Sequence, residues 1–278
     1  MGIQDVSSYK KQGLIMNARE YYEAGQLNKA IDATIAEVKK HPTDIARRGF
    51  LCELLFAKRE WERIDKQLDL IGHQDPNTMH MVALWRQLLR AGQARDQFFS
   101  DGRIPEVLEA PDELLQSYLK ASVAMREGNK AEAYTLLEQA ECKRPILKGM
   151  LNGKAFEDFR DLDDTAPAVF EVFTSTGKYY WIPFSRINQL TFHAAEGPID
   201  LIFRRASLET NQNGPDGEVY VPAVYQTLAG QDQERLMLGR ASDWLGEEGE
   251  PIRGVGQKMF LVDEQSISIM EIEELSFE

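Results

Sequence analysis

Cysteine is nearly absent from this chain. Cys52 and Cys142 stand far apart, so neither a disulfide framework nor a cysteine-based metal site has the residues it needs. Long apolar runs are missing too: none approaches the roughly 18 residues that crossing a bilayer requires. The opening Met1-Gly2-Ile3-Gln4-Asp5-Val6-Ser7-Ser8 has no basic region leading into an apolar core. No export signal is read there, and a cytoplasmic location is expected. Histidine is scarce. His41, His73, His80 and His193 form no His-Glu-x-x-His pair, which leaves structural or surface roles for them.

Reaction-bearing motifs are equally thin. Gly254-Val255-Gly256 lacks the third glycine and the following helix of a dinucleotide loop, so it reads as a close backbone crossing or a bulge. No Walker-type Gly-Lys-Ser/Thr and no Gly-x-Ser-x-Gly elbow occurs. Asp158, Asp161, Asp163 and Asp164 are the densest carboxylate group, with Arg160 and Arg186 as candidate neighbours. Oxygen ligands of this kind suit a divalent cation, but the group has neither the turn glycine nor the closing glutamate of a calcium loop. Capping and ion pairing are expected of it instead. No catalytic, cofactor-binding or metal-binding residue is assigned.

What the chain does have is an uneven charge. Residues 1–150 hold 22 Lys+Arg and 22 Asp+Glu, which leaves 10 and 23 for residues 151–278. The whole net charge of −13 therefore sits in the second part, and a domain boundary is read near residue 150. An acidic surface repels phosphate backbones and anionic bilayers, which argues against nucleic acid and membrane as partners. It attracts a basic protein patch, or serves solubility alone.

The first part also repeats itself. Pro42 follows Gly25 by 17 positions, Pro76 follows Arg59 by 17, and Pro145 follows Gly128 by 17. Gly25 and Arg59 are 34 apart, the period of the tetratricopeptide helix–turn–helix unit. Seven positions before each turn stands a small residue, Ala18, Cys52 or Ala121, where two helices must approach closely. Apolar residues then recur at helical spacing, as in Ile64, Leu68 and Ile71. A fourth, degenerate unit is read around Gly92, with Trp85 at the small-residue position. Stacked units of this type hold a peptide or helix on their concave side, or else pack against the second domain.

From about Pro167 the pattern changes to short β runs. Val169–Phe173 and Tyr179–Pro183 flank Gly177 as a hairpin, and Gly214-Pro215-Asp216-Gly217 is a turn before Glu218–Val221. Lys258–Val262 and Ser266–Met270 make a second hairpin, while Leu245 to Gly256 reads as a loop. The expected fold is α+β: tetratricopeptide-like helical repeats over 1–150, then a mainly antiparallel, β-rich acidic domain over 151–278.

One ordered series of residues carries a resemblance. It runs Asn152-Gly153-x-x-Phe156-x-Asp158-x-Arg160-Asp161-x-Asp163-Asp164, then Glu171-Val172-Phe173 and Tyr179-Tyr180-Trp181-Ile182-Pro183. Gly217-Glu218-Val219-Tyr220-Val221-Pro222-x-x-Tyr225, Gly239-Arg240-x-x-x-Trp244, Arg253-Gly254-x-Gly256-Gln257 and Glu271-Ile272-x-Glu274-Leu275-x-Phe277 complete it. The series resembles the ImpE family, also called TagJ, accessory proteins of bacterial type VI secretion systems. Phe203 departs from it, where tryptophan is expected. The resemblance implies a cytoplasmic adaptor without cofactor that binds the N-terminal helix of the small sheath subunit, TssB. It also implies work alongside ClpV, the ATPase that disassembles contracted sheaths. Because tryptophan, tyrosine and arginine dominate interface energetics, Tyr180, Trp181, Arg240 and Trp244 are the partner-binding candidates. The competing reading puts both tryptophans in the core. Two other functions stay open: a general tetratricopeptide co-chaperone capturing acidic tails through Arg19, Arg47, Arg48 and Arg86, and a hydrolase built on the Asp158–Asp164 group.

Overall fold

The helices begin where a short polar side chain meets an apolar-periodic run. In the computed structural model, which describes residues 16–211, 214–226 and 233–278, Asn17 accepts from the Glu20 amide at 3.0 Å and opens α1 (Ala18–Glu23). Such a cap satisfies one of the donors that a first helical turn leaves unpaired. Gly25, at φ +75°, turns the chain into α2 (Leu27–Lys40). Asp44 caps α3 (Ile45–Lys58) through the Arg47 amide at 3.0 Å, and Arg59, at φ +57°, turns it into α4 (Trp61–Gln74). Next come α5 (Met79–Asp101), then α6 (Glu113–Arg126) capped by Asp112, and α7 (Lys130–Glu141) beyond Gly128 at φ +80°. The export-signal reading of residues 1–8 concerns positions outside the described residues. No described helix is long and apolar enough to cross a membrane.

Helices α1/α2, α3/α4 and α6/α7 pack as consecutive pairs, an arrangement compatible with tetratricopeptide-like units. Ala18, Cys52 and Ala121 are buried, as are Ala30, Ile64 and Ala133 on the second helices. The expectation at Gly92 is corrected. No turn occurs there; α5 runs straight through it. A Cβ on Gly92 would lie 2.6 Å from the Trp61 ring, so this glycine serves a close helix crossing and not a chain reversal.

The strands follow in order: β1 (Gly149–Leu151), β2 (Lys154–Phe156), β3 (Phe159–Asp161), β4 (Val169–Thr174), β5 (Tyr179–Pro183), β6 (Ile187–Phe192), β7 (Phe203–Thr210) and β8 (Gly217–Pro222). A short α8 (Gln233–Met237) separates these from β9 (Ser242–Leu245), β10 (Arg253–Gly256), β11 (Met259–Val262), β12 (Gln265–Ser268) and β13 (Glu274–Phe277). Eight strands form one antiparallel sheet in the order β2-β1-β13-β6-β7-β8-β4-β5. A three-stranded sheet, β12-β11-β3, and the hairpin β9–β10 complete the β structure. The hairpins expected at 169–183 and 258–270 form, the second ending at Ser268 where a 3-10 turn takes over. The loop read from Leu245 to Gly256 is shorter than expected. Arg253–Gly256 pairs with Ser242–Leu245 and leaves only 246–252 as the connection.

The helical stack and the sheet share one apolar core. Helix α5 lies across β4 and β5, and α3 meets the 3-10 turn Pro198–Leu201. Phe56 of α3 meets Phe203 of β7 edge to face at 5.8 Å, and Phe98 of α5 meets Trp181 of β5 at 4.8 Å. Strand β4 is buried on both sides in consequence. Surface that α3 and α5 would offer to a guest peptide is thus taken by the chain's own sheet.

Candidate functional site

Within the doubly buried strand β4, Val169–Thr174, stands one charged residue. A lone buried carboxylate is costly unless it is matched, and Glu171 is matched from several elements. Arg95 of α5 donates from Nε at 2.7 Å and from Nη2 at 2.6 Å, one bond to each carboxylate oxygen. The Tyr179 hydroxyl donates to Oε1 at 2.7 Å and itself accepts from Trp181 Nε1 at 2.6 Å. Lys258 Nζ lies 3.1 Å from Glu171 and 3.3 Å from Asp161, whose other oxygen accepts from the Tyr225 hydroxyl at 2.6 Å. Burial alone would push the Glu171 carboxyl up, but the charges of Arg95 and Lys258 outweigh it and hold the group well below the usual range. Burial and the Glu171 charge push the Tyr179 hydroxyl far up, so it remains a donor. The space left beside this network is about 30 Å3, room for a water. Its donors and acceptors face one another, and what they do is bind α5 to both sheets.

The aspartate group expected to cap and pair is dispersed in that way. Asp158 takes two bonds from Arg144, at 2.8 and 2.6 Å. Asp163 accepts from the Gly254 amide at 2.9 Å, and Asp164 from Arg160 at 2.7 Å and the Ile252 amide at 2.8 Å. Arg186 is not part of the group; it pairs with Glu109 at 3.0 Å. Gly254 and Gly256 mark close crossings. A Cβ on Gly254 would sit 2.2 Å from the Tyr225 ring, and one on Gly256 would sit 2.1 Å from the Ala241 carbonyl.

The four surface candidates do not form one site. Trp181 is 1% exposed and belongs to the core. Tyr180, its neighbour, is half-buried, and the edge of its strand is covered by Glu106, whose amide donates to the Tyr179 carbonyl at 2.8 Å. Arg240 donates from Nη1 to the carbonyls of Tyr22 and Glu23 at 2.6 and 2.8 Å, with its guanidinium 4.3 Å above the Tyr22 ring. It satisfies the last carbonyls of α1 and ties that helix to the C-terminal part. Trp244, on β9, is 38% exposed and packs edge-on against Tyr225 at 6.0 Å. The reading from residues alone did not find a cavity of about 330 Å3 whose walls include Leu115, Tyr118, Leu147, Val169 and Pro183. Those residues come from α6, the α7–β1 connection and the ends of β4 and β5, and no local pattern links them. Arg95 and Lys258 were missed for the same reason. Glu171 did leave a signal, as a single charge inside Val169-Phe170-Glu171-Val172-Phe173.

Comparison with known proteins gives the same direction from several sides. The family model described as ImpE protein matches residues 153–276. The type VI secretion system accessory component TagJ of Pseudomonas aeruginosa is 31% identical over 268 residues, spanning 96% of this chain and 93% of that protein. A crystal structure of a protein from Vibrio parahaemolyticus superposes with a TM-score of 0.87 at 27% identity, covering 94% of this chain and 97% of the other. Of the series on which the resemblance was read, Asp161, Glu171, Tyr179, Trp181 and Tyr225 meet in the buried network, while Asn152 holds the turn before β13 and Arg240 the end of α1. The chain belongs to the ImpE/TagJ family.

Proposed function

We propose that this protein is a non-enzymatic, cytoplasmic accessory component of a type VI secretion system, an adaptor that binds the N-terminal helix of the small sheath subunit TssB and works alongside the ATPase ClpV. The observation that carries this reading is the similarity to TagJ along nearly the whole chain, helices and sheets together. The fold supports it physically. The network at Glu171 is internally matched, and Trp244 is partly exposed on the outside. An amphipathic helix is read by apolar anchors at helical spacing, and with α3 and α5 packed on the sheet it docks on the outer surface.

The co-chaperone alternative needs free arginines on successive first helices. Arg48 instead donates to Gln67 at 2.6 Å and to the Pro42 carbonyl at 2.8 Å. Arg47 pairs with Asp44 and Glu37, and Arg86 with Asp65 and Asp69. These engagements count against a carboxylate clamp. The deciding experiment is co-purification with the small sheath subunit, repeated after deleting that subunit's first helix. Binding is expected only when the helix is present; equal recovery without it would sink the proposed mode.

A further inference from the structure

The hairpin β9–β10 carries exposed apolar side chains within the acidic C-terminal part of the chain. Trp244 is paired with Gly254 across the hairpin, so the two positions share a face, and Ile252 stands in the connection directly before β10. Trp244 and Ile252 are 38% and 39% exposed. The Tyr225 ring fills the space over Gly254 and supports one side of Trp244, which leaves the outer parts of Trp244 and Ile252 open to solvent. At the tip, Glu247 and Glu248 are exposed, and neither carboxylate has an ion-pair partner among the described residues. Exposed tryptophan is unfavourable in water unless something covers it.

The hairpin is also held rigidly. Lys130 of α7 pairs with Glu250 at 2.8 Å, the Ile252 amide donates to Asp164, and the Gly254 amide donates to Asp163. Trp244 rests on Tyr225, whose hydroxyl is fixed to Asp161 in the buried network. The free edge of β9 is blunted, because the Trp244 amide already donates to the Asp243 side chain at 2.9 Å. Pairing of an added strand is thereby discouraged, and a side-chain-mediated contact is left as the available mode.

We infer that this hairpin face is a preformed docking surface for a protein segment that sets an apolar side chain between Lys or Arg residues. The apolar residue covers Trp244 and Ile252, and the cations meet Glu247 and Glu248. Charge complementarity selects that chemistry: the C-terminal part carries 10 basic against 23 acidic residues. Rigid aromatic anchors beside unpaired rim charges are the features that give an interface its energy and its association rate. The inference rests on the adaptor reading only in taking the sheath subunit as its first probe.

The test measures binding of the full-length protein to the isolated small sheath subunit by calorimetry, over a range of salt. It is repeated with an amphipathic Lys/Leu peptide and its Glu/Leu counterpart. The variants are Trp244→Ala and the double change Glu247→Lys with Glu248→Lys, the latter confined to an exposed tip that the fold does not use. Each variant is expected to weaken sheath-subunit binding at least tenfold, and the double change is expected to flatten its salt dependence. If the wild-type chain binds the subunit and both variants bind it equally well, the hairpin inference fails while the adaptor reading stands. If the wild-type chain does not bind the subunit, the adaptor reading fails, and the peptides decide the hairpin. Preference for Lys/Leu over Glu/Leu, lost in both variants, supports it; equal binding by the variants overturns it.

Discussion

Glu171 shows how much one buried side chain can decide. Its neighbours form two balanced couples, Arg95 with Glu171 and Lys258 with Asp161, bridged by Lys258. Glu171→Gln leaves two cations facing one carboxylate, and breaking a buried pair in this manner costs roughly 3–5 kcal/mol. Adding Arg95→Met restores one cation to one anion, so urea unfolding is expected to find the double variant more stable than Glu171→Gln alone. The pH dependence has a definite sign. Because the folded carboxyl is held low, its contribution is present above the unfolded value of about 4.3 and is lost as pH falls below it. The stability gap between wild type and Glu171→Gln therefore narrows in acid. Glu53 behaves in the opposite sense. Burial against the turn at Gly197–Ile199, together with the Asp200 charge, pushes its carboxyl up to about 7, while the Ile199 amide and Arg19 pull the other way. A raised carboxyl stabilises most below its unfolded value and loses that contribution as pH climbs towards 7. Thermal melts at pH 5 and pH 8 are expected to show a smaller drop for Glu53→Gln than for wild type, and a higher melting temperature for the variant at pH 8. Of these two residues, only Glu171 announced itself in the sequence, by its charge inside an apolar strand; Glu53 lies on a helix where a glutamate is ordinary, and its partner segment is more than a hundred positions away.

At the scale of elements, the sequence was most readable where one local rule sufficed. Turn residues with positive φ, small residues at helix crossings and prolines beyond helix ends located three helix pairs, and alternation with Gly177 located the β4–β5 hairpin. It misled where one residue type serves two purposes. Gly92 has the spacing of a turn, yet it lies inside α5 because the Trp61 ring, fixed by its Nε1 bond to Asp96 at 2.7 Å, occupies the space of a side chain. Gly92→Ala is expected to destabilise the protein by about 1–3 kcal/mol through this clash, although alanine is the better helix former by about 1 kcal/mol. A stabilised variant in urea unfolding would contradict the packing role. The Gly/Glu-rich stretch after Leu245 misled only in its length: its last four residues pair as β10, while Gly254 and Gly256 are the close crossings that the Gly-x-Gly pattern indicated, against Tyr225 and Ala241.

On the scale of the whole molecule, charge composition indicated a change near residue 150, and the chain does pass from helices to strands there. What composition had no means of indicating is how tightly the two parts are bolted together, since three of the bolts join residues distant in sequence. Arg95 reaches Glu171, Arg59 donates to the carbonyls of Gln226 and Tyr225 at 2.8 and 3.0 Å, and Arg240 reaches back to α1. Differential scanning calorimetry is accordingly expected to give one cooperative transition; two resolved peaks would show that the parts melt separately. Because α3 and α5 are packed against the sheet, a change of volume on one side of that joint has to be matched on the other, whereas outward positions carry no such constraint.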